Sequence, residues 1–76
     1  MMKLNELRNE FIKQLNEYEY DEKMIDKLSN DVHMLLWIEH VMFTENMTIR
    51  QMFGDVGFIE GMECQYENPI TFDEMK

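Results

Sequence analysis

Residues 32–43 have the sequence VHMLLWIEHVMF, and the rest of the chain must be understood in relation to this stretch. Nine of its twelve positions are apolar, and at a helical period they lie on every side. A helix of this kind must be covered by its own domain or by another chain. A chain of 76 residues leaves little protein to cover it. The stretch therefore predicts a homo-oligomer whose interface contains Leu36, Trp37, Val41 and Phe43.

The residues before this stretch predict further helices. Residues 3–18 carry apolar side chains at steps of three and four, as an amphipathic helix does: Leu4, Leu7, Phe11, Leu15 and Tyr18. A second apolar stripe continues from Met24 into residues 32–43, so either one helix runs from Asp21 to Phe43 or the chain breaks near residue 30. We favour the break, because Ser29, Asn30 and Asp31 can each cap a new helix through a side-chain oxygen.

The residues after this stretch begin with one more helical signal. Thr48 and Gln51 have the spacing of a capping box, in which the two side chains satisfy backbone N–H groups reciprocally. They predict a short helix over residues 47–53, closed by Gly54, the first glycine of the chain. Residues 3–53 are thus predicted to be helical.

Residues 54–76 are predicted to be irregular, because Gly57, Gly61 and Pro69 interrupt them. Two short alternating patterns there are typical of strands and indicate a small β-hairpin: Met62, Cys64 and Tyr66, then Ile70 and Phe72. Met62, Tyr66 and Ile70 also fit a helical spacing, so the helical alternative stays open. The predicted fold is a single all-α or mostly α domain over residues 1–76, with three to four helices and an acidic C-terminal segment.

The charge of the chain is negative and unevenly distributed. Sixteen acidic residues against seven basic ones give a net charge of −9. Residues 51–75 contain no base and six acids: Asp55, Glu60, Glu63, Glu67, Asp73 and Glu74. Such a segment repels nucleic acid and anionic lipid and attracts basic protein surfaces. Solubility is the alternative explanation, because net negative charge by itself keeps small domains dispersed.

No residue pattern in the chain indicates catalysis, a metal or a cofactor. His33 and His40 are two helical turns apart, about 10.5 Å, which is too far to share a metal ion. Cys64 has acidic neighbours, which weaken a thiol as a nucleophile, so a catalytic pair with His40 is not expected. Sixteen carboxylates make some close pairs inevitable, and such pairs carry no information about acid–base chemistry.

Residues 48–59 resemble the first helix and turn of a helix-turn-helix unit, with Thr48 as cap and Gly57 as turn glycine. The recognition helix would then be residues 60–67, which contain three glutamates and no base. Contacts with phosphates require Lys or Arg, so we expect no direct binding to nucleic acid.

These observations predict a non-enzymatic binding protein whose acidic segment docks on a basic protein surface. In size and charge the chain is similar to small acidic phage proteins that block nucleic-acid-binding enzymes, by mimicry or by occlusion. The alternative is a small homo-oligomeric adaptor that acts through the apolar helix. Ala, Gly, Pro and Arg, which have GC-rich codons, together number only six, and this composition is typical of a low-GC bacterium or its phages. The single cysteine, the polar N-terminal residues and the short apolar runs predict a cytoplasmic location, in a bacterium or a phage-infected cell, without a membrane partner.

Overall fold

Five α-helices follow one another in the computed structural model, which describes residues 3–69. They are α1 (Leu4–Glu17), α2 (Glu22–Ser29), α3 (Val32–Glu45), α4 (Ile49–Met52) and α5 (Val56–Glu67). No strand occurs within this range, so the predicted all-α class is confirmed. The number of helices is higher than the predicted three to four, because α5 forms where an irregular segment was expected.

The break between α2 and α3 falls where the capping residues predict it. Asp31 is the N-cap of α3, and its Oδ1 accepts hydrogen bonds from the amides of His33 at 3.0 Å and Met34 at 3.3 Å. These bonds satisfy two N–H groups that a helix start leaves without an intrahelical partner. A single helix from Asp21 to Phe43 is therefore excluded.

Two residues in the left-handed region end the longer helices. Glu19, with φ of 58°, follows α1, and the amide of Tyr20 donates to the Leu15 carbonyl at 3.0 Å. This is a Schellman ending, which turns the chain toward α2. Asn46 adopts φ of 52° after α3. The predicted capping box then forms at α4, where Thr48 and Gln51 exchange side-chain and backbone hydrogen bonds of 2.9 and 3.1 Å.

Residues 56–67 form a helix, so the predicted irregular segment is wrong for this part of the chain. Asp55 Oδ1 accepts a hydrogen bond from the Gly57 amide at 2.8 Å and so begins the helix. Phe58 and Met62 then bury one face of α5 in the core. The helical spacing of Met62 and Tyr66 is thus the correct signal, and Met62, Cys64 and Tyr66 do not form a strand. Ile70 and Phe72 lie outside the described residues.

The core draws at least one apolar side chain from every helix. α1 contacts α2, α3 and α4, while α2 contacts α3 and α5. Twelve apolar side chains are buried where these helices meet: Leu7, Phe11, Leu15, Leu28, Met34, Leu35, Ile38, Ile49, Met52, Phe53, Phe58 and Met62. Phe53 stands at the centre of an aromatic cluster, with ring centroids 6.0 Å from Phe11 and 5.4 Å from Phe58.

Candidate protein-binding surfaces

The three glutamates of α5 lie on one solvent-exposed face. Glu60, Glu63 and Glu67 are spaced by three and four residues, and all three are exposed. At 100° per residue they fall within an arc of about 60°, opposite the buried Phe58 and Met62. Along the axis they are separated by about 4.5 and 6 Å. We call Glu60, Glu63 and Glu67 the acidic face.

The other predicted acidic residues differ from the acidic face in position. Asp55 is exposed at the start of α5, where its carboxylate caps the helix. Asp73 and Glu74 lie outside the described residues.

The acidic face also has an electrostatic neighbour that the sequence does not suggest. Burial raises the pKa of the Tyr20 hydroxyl, and the carboxylate of Glu63 and the phenol of Tyr18 raise it further.

One base from another helix reaches the C-terminal end of α5. Lys27 of α2 donates from Nζ to the Tyr66 carbonyl at 3.0 Å, and its ammonium lies 4.9 Å from the centroid of the Tyr66 ring. The ammonium therefore meets the negative end of the helix dipole as well as an aromatic face. Although residues 51–75 contain no base, the fold supplies one at this end of the helix.

The predicted oligomer interface separates into two groups in the structure. Leu36 and Phe43 are exposed, with 45% and 80% of their surface accessible. Trp37 and Val41 are partly buried and pack against the core of their own chain. The Trp37 ring stacks on Phe58 at 5.1 Å with an interplanar angle of 20°. The four residues therefore do not share one exposed face.

Two residues that the predicted interface omits complete an apolar surface with Leu36 and Phe43. Val32 begins α3 and is 47% exposed, and on α3 it lies within about 40° of Leu36 and Phe43. Leu4 of α1 is also exposed and lines the same shallow groove as Val32. We call Leu4, Val32, Leu36 and Phe43 the apolar stripe. The sequence does contain a signal for the three α3 residues of this stripe, because their spacing of i, i+4 and i+11 places them on one side of a helix.

A groove of about 460 Å³ lies between α3 and α5. Its walls include Met34, Trp37, Gly61 and the exposed Cys64. His33 lines this groove, whereas His40 lines a different depression beside Leu36 and Phe43. The histidine facing the Cys64 side of the fold is thus His33 and not His40. Within residues 3–69 no three His, Cys, Asp or Glu side chains are grouped so that they could hold a metal ion.

No family model, curated protein or solved structure matches this chain. None of the helices within residues 3–69 combines the length and apolar character needed to cross a membrane.

Proposed function

We propose that this chain is a non-catalytic binding protein whose acidic face docks on a basic surface of another protein. The observation that supports this function is the alignment of Glu60, Glu63 and Glu67 on one exposed face of a helix that contains no base of its own. A set of aligned carboxylates produces a directional field, and such a field steers and orients a basic partner.

The exposed face of α1 is the natural comparison for the acidic face. Glu6, Glu10 and Glu17 are exposed and also share one side of a helix. Lys13 lies on that same side, next to Glu10 and Glu17, so the charge there is mixed. The two faces therefore contain the same number of glutamates but differ in local field. A role in solubility requires only the total charge, whereas docking requires the arrangement on α5.

The class of partner follows from the sign of the charge. A basic protein surface complements the acidic face, and many such surfaces bind the phosphates of nucleic acid. When the chain occupies such a surface it excludes the nucleic acid, so the chain acts as an inhibitor by mimicry or occlusion. Small acidic phage proteins that block nucleic-acid enzymes are of this class.

Capture from a lysate with matched variants tests the acidic face. The bait proteins are the wild-type chain and two triple variants, Glu60→Lys/Glu63→Lys/Glu67→Lys on α5 and Glu6→Lys/Glu10→Lys/Glu17→Lys on α1. The two variants undergo the same change in total charge. Each is exposed to the heparin-binding fraction of a low-GC bacterial lysate, and retained proteins are identified by mass spectrometry. We expect at least one basic protein that wild type and the α1 variant retain and the α5 variant loses. Equal retention by all three baits, or equal loss from both variants, contradicts the proposal.

A second candidate function is a homo-oligomeric adaptor that assembles through α3. The apolar stripe favours this candidate, because Phe43 exposes most of its ring to solvent. A polar residue would be readily accepted at such a position, so an exposed aromatic ring there indicates a binding surface. The two candidates use different helices. Substitutions on α5 and on α3 therefore test them separately.

A further inference from the structure

α3 and α5 contact each other at two points, and the groove between them is lined from both. At one point, Asp31 Oδ2 accepts a hydrogen bond from Gln65 Nε2 at 2.8 Å. At the other, the Trp37 ring lies so close to Gly61 that a Cβ atom there would come within 2.6 Å of it. The two helices are therefore antiparallel. The groove of about 460 Å³ is lined by Trp37 and Gly61 of one point and by Gln65 of the other.

The C-terminal segment of the chain begins at the edge of this groove. Asn68 is the C-cap of α5 and also lines the groove. Its backbone, with φ of −134° and ψ of 72°, is not helical, and Pro69 lacks the N–H group that a further helical turn needs. Residues 70–76, which lie outside the described residues, follow from this point. A segment that turns back here enters the groove from the Gln65 end.

The C-terminal segment is long enough to extend along the groove. Gly61 and Asn68 are seven positions apart in α5, which is about 10.5 Å along the helix axis. An extended chain advances about 3.3 Å per residue, so Phe72 can lie about 13 Å from Asn68. Phe72 can therefore reach the Trp37 ring, which adjoins Gly61.

The side chains of the segment also match the chemistry of the groove. Ile70 and Phe72 are two positions apart, so in an extended chain they project to the same side. Their alternation does not serve a hairpin with residues 62–66, because those residues are helical. Met34 and Trp37 contribute apolar surface to the groove. Its volume is within the range of about 300–1,000 Å³ that accommodates a small-molecule ligand, so it can accept two such side chains.

We propose that residues 70–72 turn back along α5 and occupy the groove, with Phe72 against the Trp37 ring and Ile70 nearer to Gln65. We call these residues the strap. Burial of two apolar side chains favours this position. The strap is joined to α5 through Pro69 alone, so its effective concentration at the groove is of the order of millimolar, and a separate molecule must compete with it. The strap also covers Cys64, which lines the groove.

The reactivity of Cys64 tests the strap. Cys64 is the only thiol of the chain, and iodoacetamide alkylates it at dilute protein concentration. We expect Ile70→Ser/Phe72→Ser to raise the alkylation rate about fivefold, because the uncovered thiol is more accessible. Met75→Ser is the control, since it makes an apolar residue of the same segment polar beyond the strap, and it should change the rate less than about 1.5-fold. Circular dichroism establishes that each variant is folded, and equal rates in wild type and both variants overturn the proposal.

Nuclear Overhauser contacts identify the occupant of the groove. Trp37 is the only tryptophan, so its indole protons form a unique set of signals. We expect contacts between these protons and the ring of Phe72 in the wild-type chain. A sample that mixes isotope-labelled and unlabelled chains separates contacts within one chain from contacts between two. Contacts only between chains, or no contact between the two rings, overturn the proposal. The groove and the acidic face lie on different sides of α5, so either result leaves the acidic-face function to its own test.

Discussion

Gly61 sets how closely the Trp37 ring approaches α5. A Cβ atom at position 61 would lie 2.6 Å from Cη2 of Trp37, which is closer than non-bonded carbon atoms approach one another. The same ring stacks on Phe58. Gly61 therefore has a packing function inside a helix, where a glycine otherwise destabilises the structure by about 0.5–1 kcal/mol relative to alanine.

Gly61→Ala should lower the free energy of unfolding by about 1 kcal/mol, because displacing the Trp37 ring costs more than the gain in helix propensity. Gly57→Ala is the control, since it lies in the same helix and a Cβ there meets only Asp55 Oδ1 at 3.3 Å. The Asp55 carboxylate must shift slightly there, which offsets part of the gain in helix propensity, so the control should change the stability by less than about 0.5 kcal/mol. Urea denaturation measures both values. Equal stabilisation by the two substitutions would show that Trp37 does not restrict position 61.

Among the secondary-structure elements, Asp31 links α3 to α5 through its side-chain carboxylate. Its Oδ1 caps α3, and its Oδ2 accepts a hydrogen bond from Gln65 Nε2 of α5 at 2.8 Å. One carboxylate thus begins the central helix and attaches α5 beside it. Asp21 occupies the corresponding N-cap position of α2, but its side chain makes no capping hydrogen bond.

Asp31→Ala should lower the free energy of unfolding by about 2 kcal/mol, which combines a lost cap with a lost interhelical hydrogen bond. Asp21→Ala removes the same side chain from an N-cap that makes no such bonds, so we expect a change within about 0.5 kcal/mol. Chemical denaturation followed by the Trp37 fluorescence measures both variants. A similar loss in the two variants would assign the effect to charge or helix dipole rather than to these hydrogen bonds.

The whole molecule carries a charge that opposes its own compactness. Residues 3–69 extend over 31 × 28 × 24 Å, and the net charge of the full chain is −9. At an ionic strength of about 0.01 M the Debye length is about 30 Å, so each charge acts on almost every other charge. At about 1 M it is about 3 Å, and the repulsion is screened.

The free energy of unfolding should therefore rise as the ionic strength increases from about 0.01 M to about 1 M. The variant Glu6→Gln/Glu10→Gln/Glu17→Gln reduces the net charge on an exposed face of α1, and its stability should depend less on salt. Urea titrations of wild type and this variant at dilute protein concentration measure the difference. A wild-type stability that falls with added salt would mean that local ion pairs outweigh the general repulsion.

The sequence by itself determines those parts of the fold that depend on neighbouring residues. The apolar period of α1, the caps at Asp31 and Thr48 and the turn after α4 can all be predicted, because each is decided within a few positions. The alignment of Glu60, Glu63 and Glu67 also follows from helical spacing once α5 is known to be a helix. Gly57 and Gly61 obscure that helix, and the packing that makes Gly61 suitable depends on Trp37, a residue of another element.

Only the tertiary structure decides which apolar residues of α3 are covered. By sequence Trp37 and Val41 are equivalent to Leu36 and Phe43, since all four belong to a helix that is apolar on every side. Packing against the core of the same chain partly buries the first pair and leaves the second pair exposed. Likewise, the meeting of Lys27 with the end of α5 joins residues 39 positions apart. Local periodicity contains no information about such contacts, because they depend on how the helices pack together.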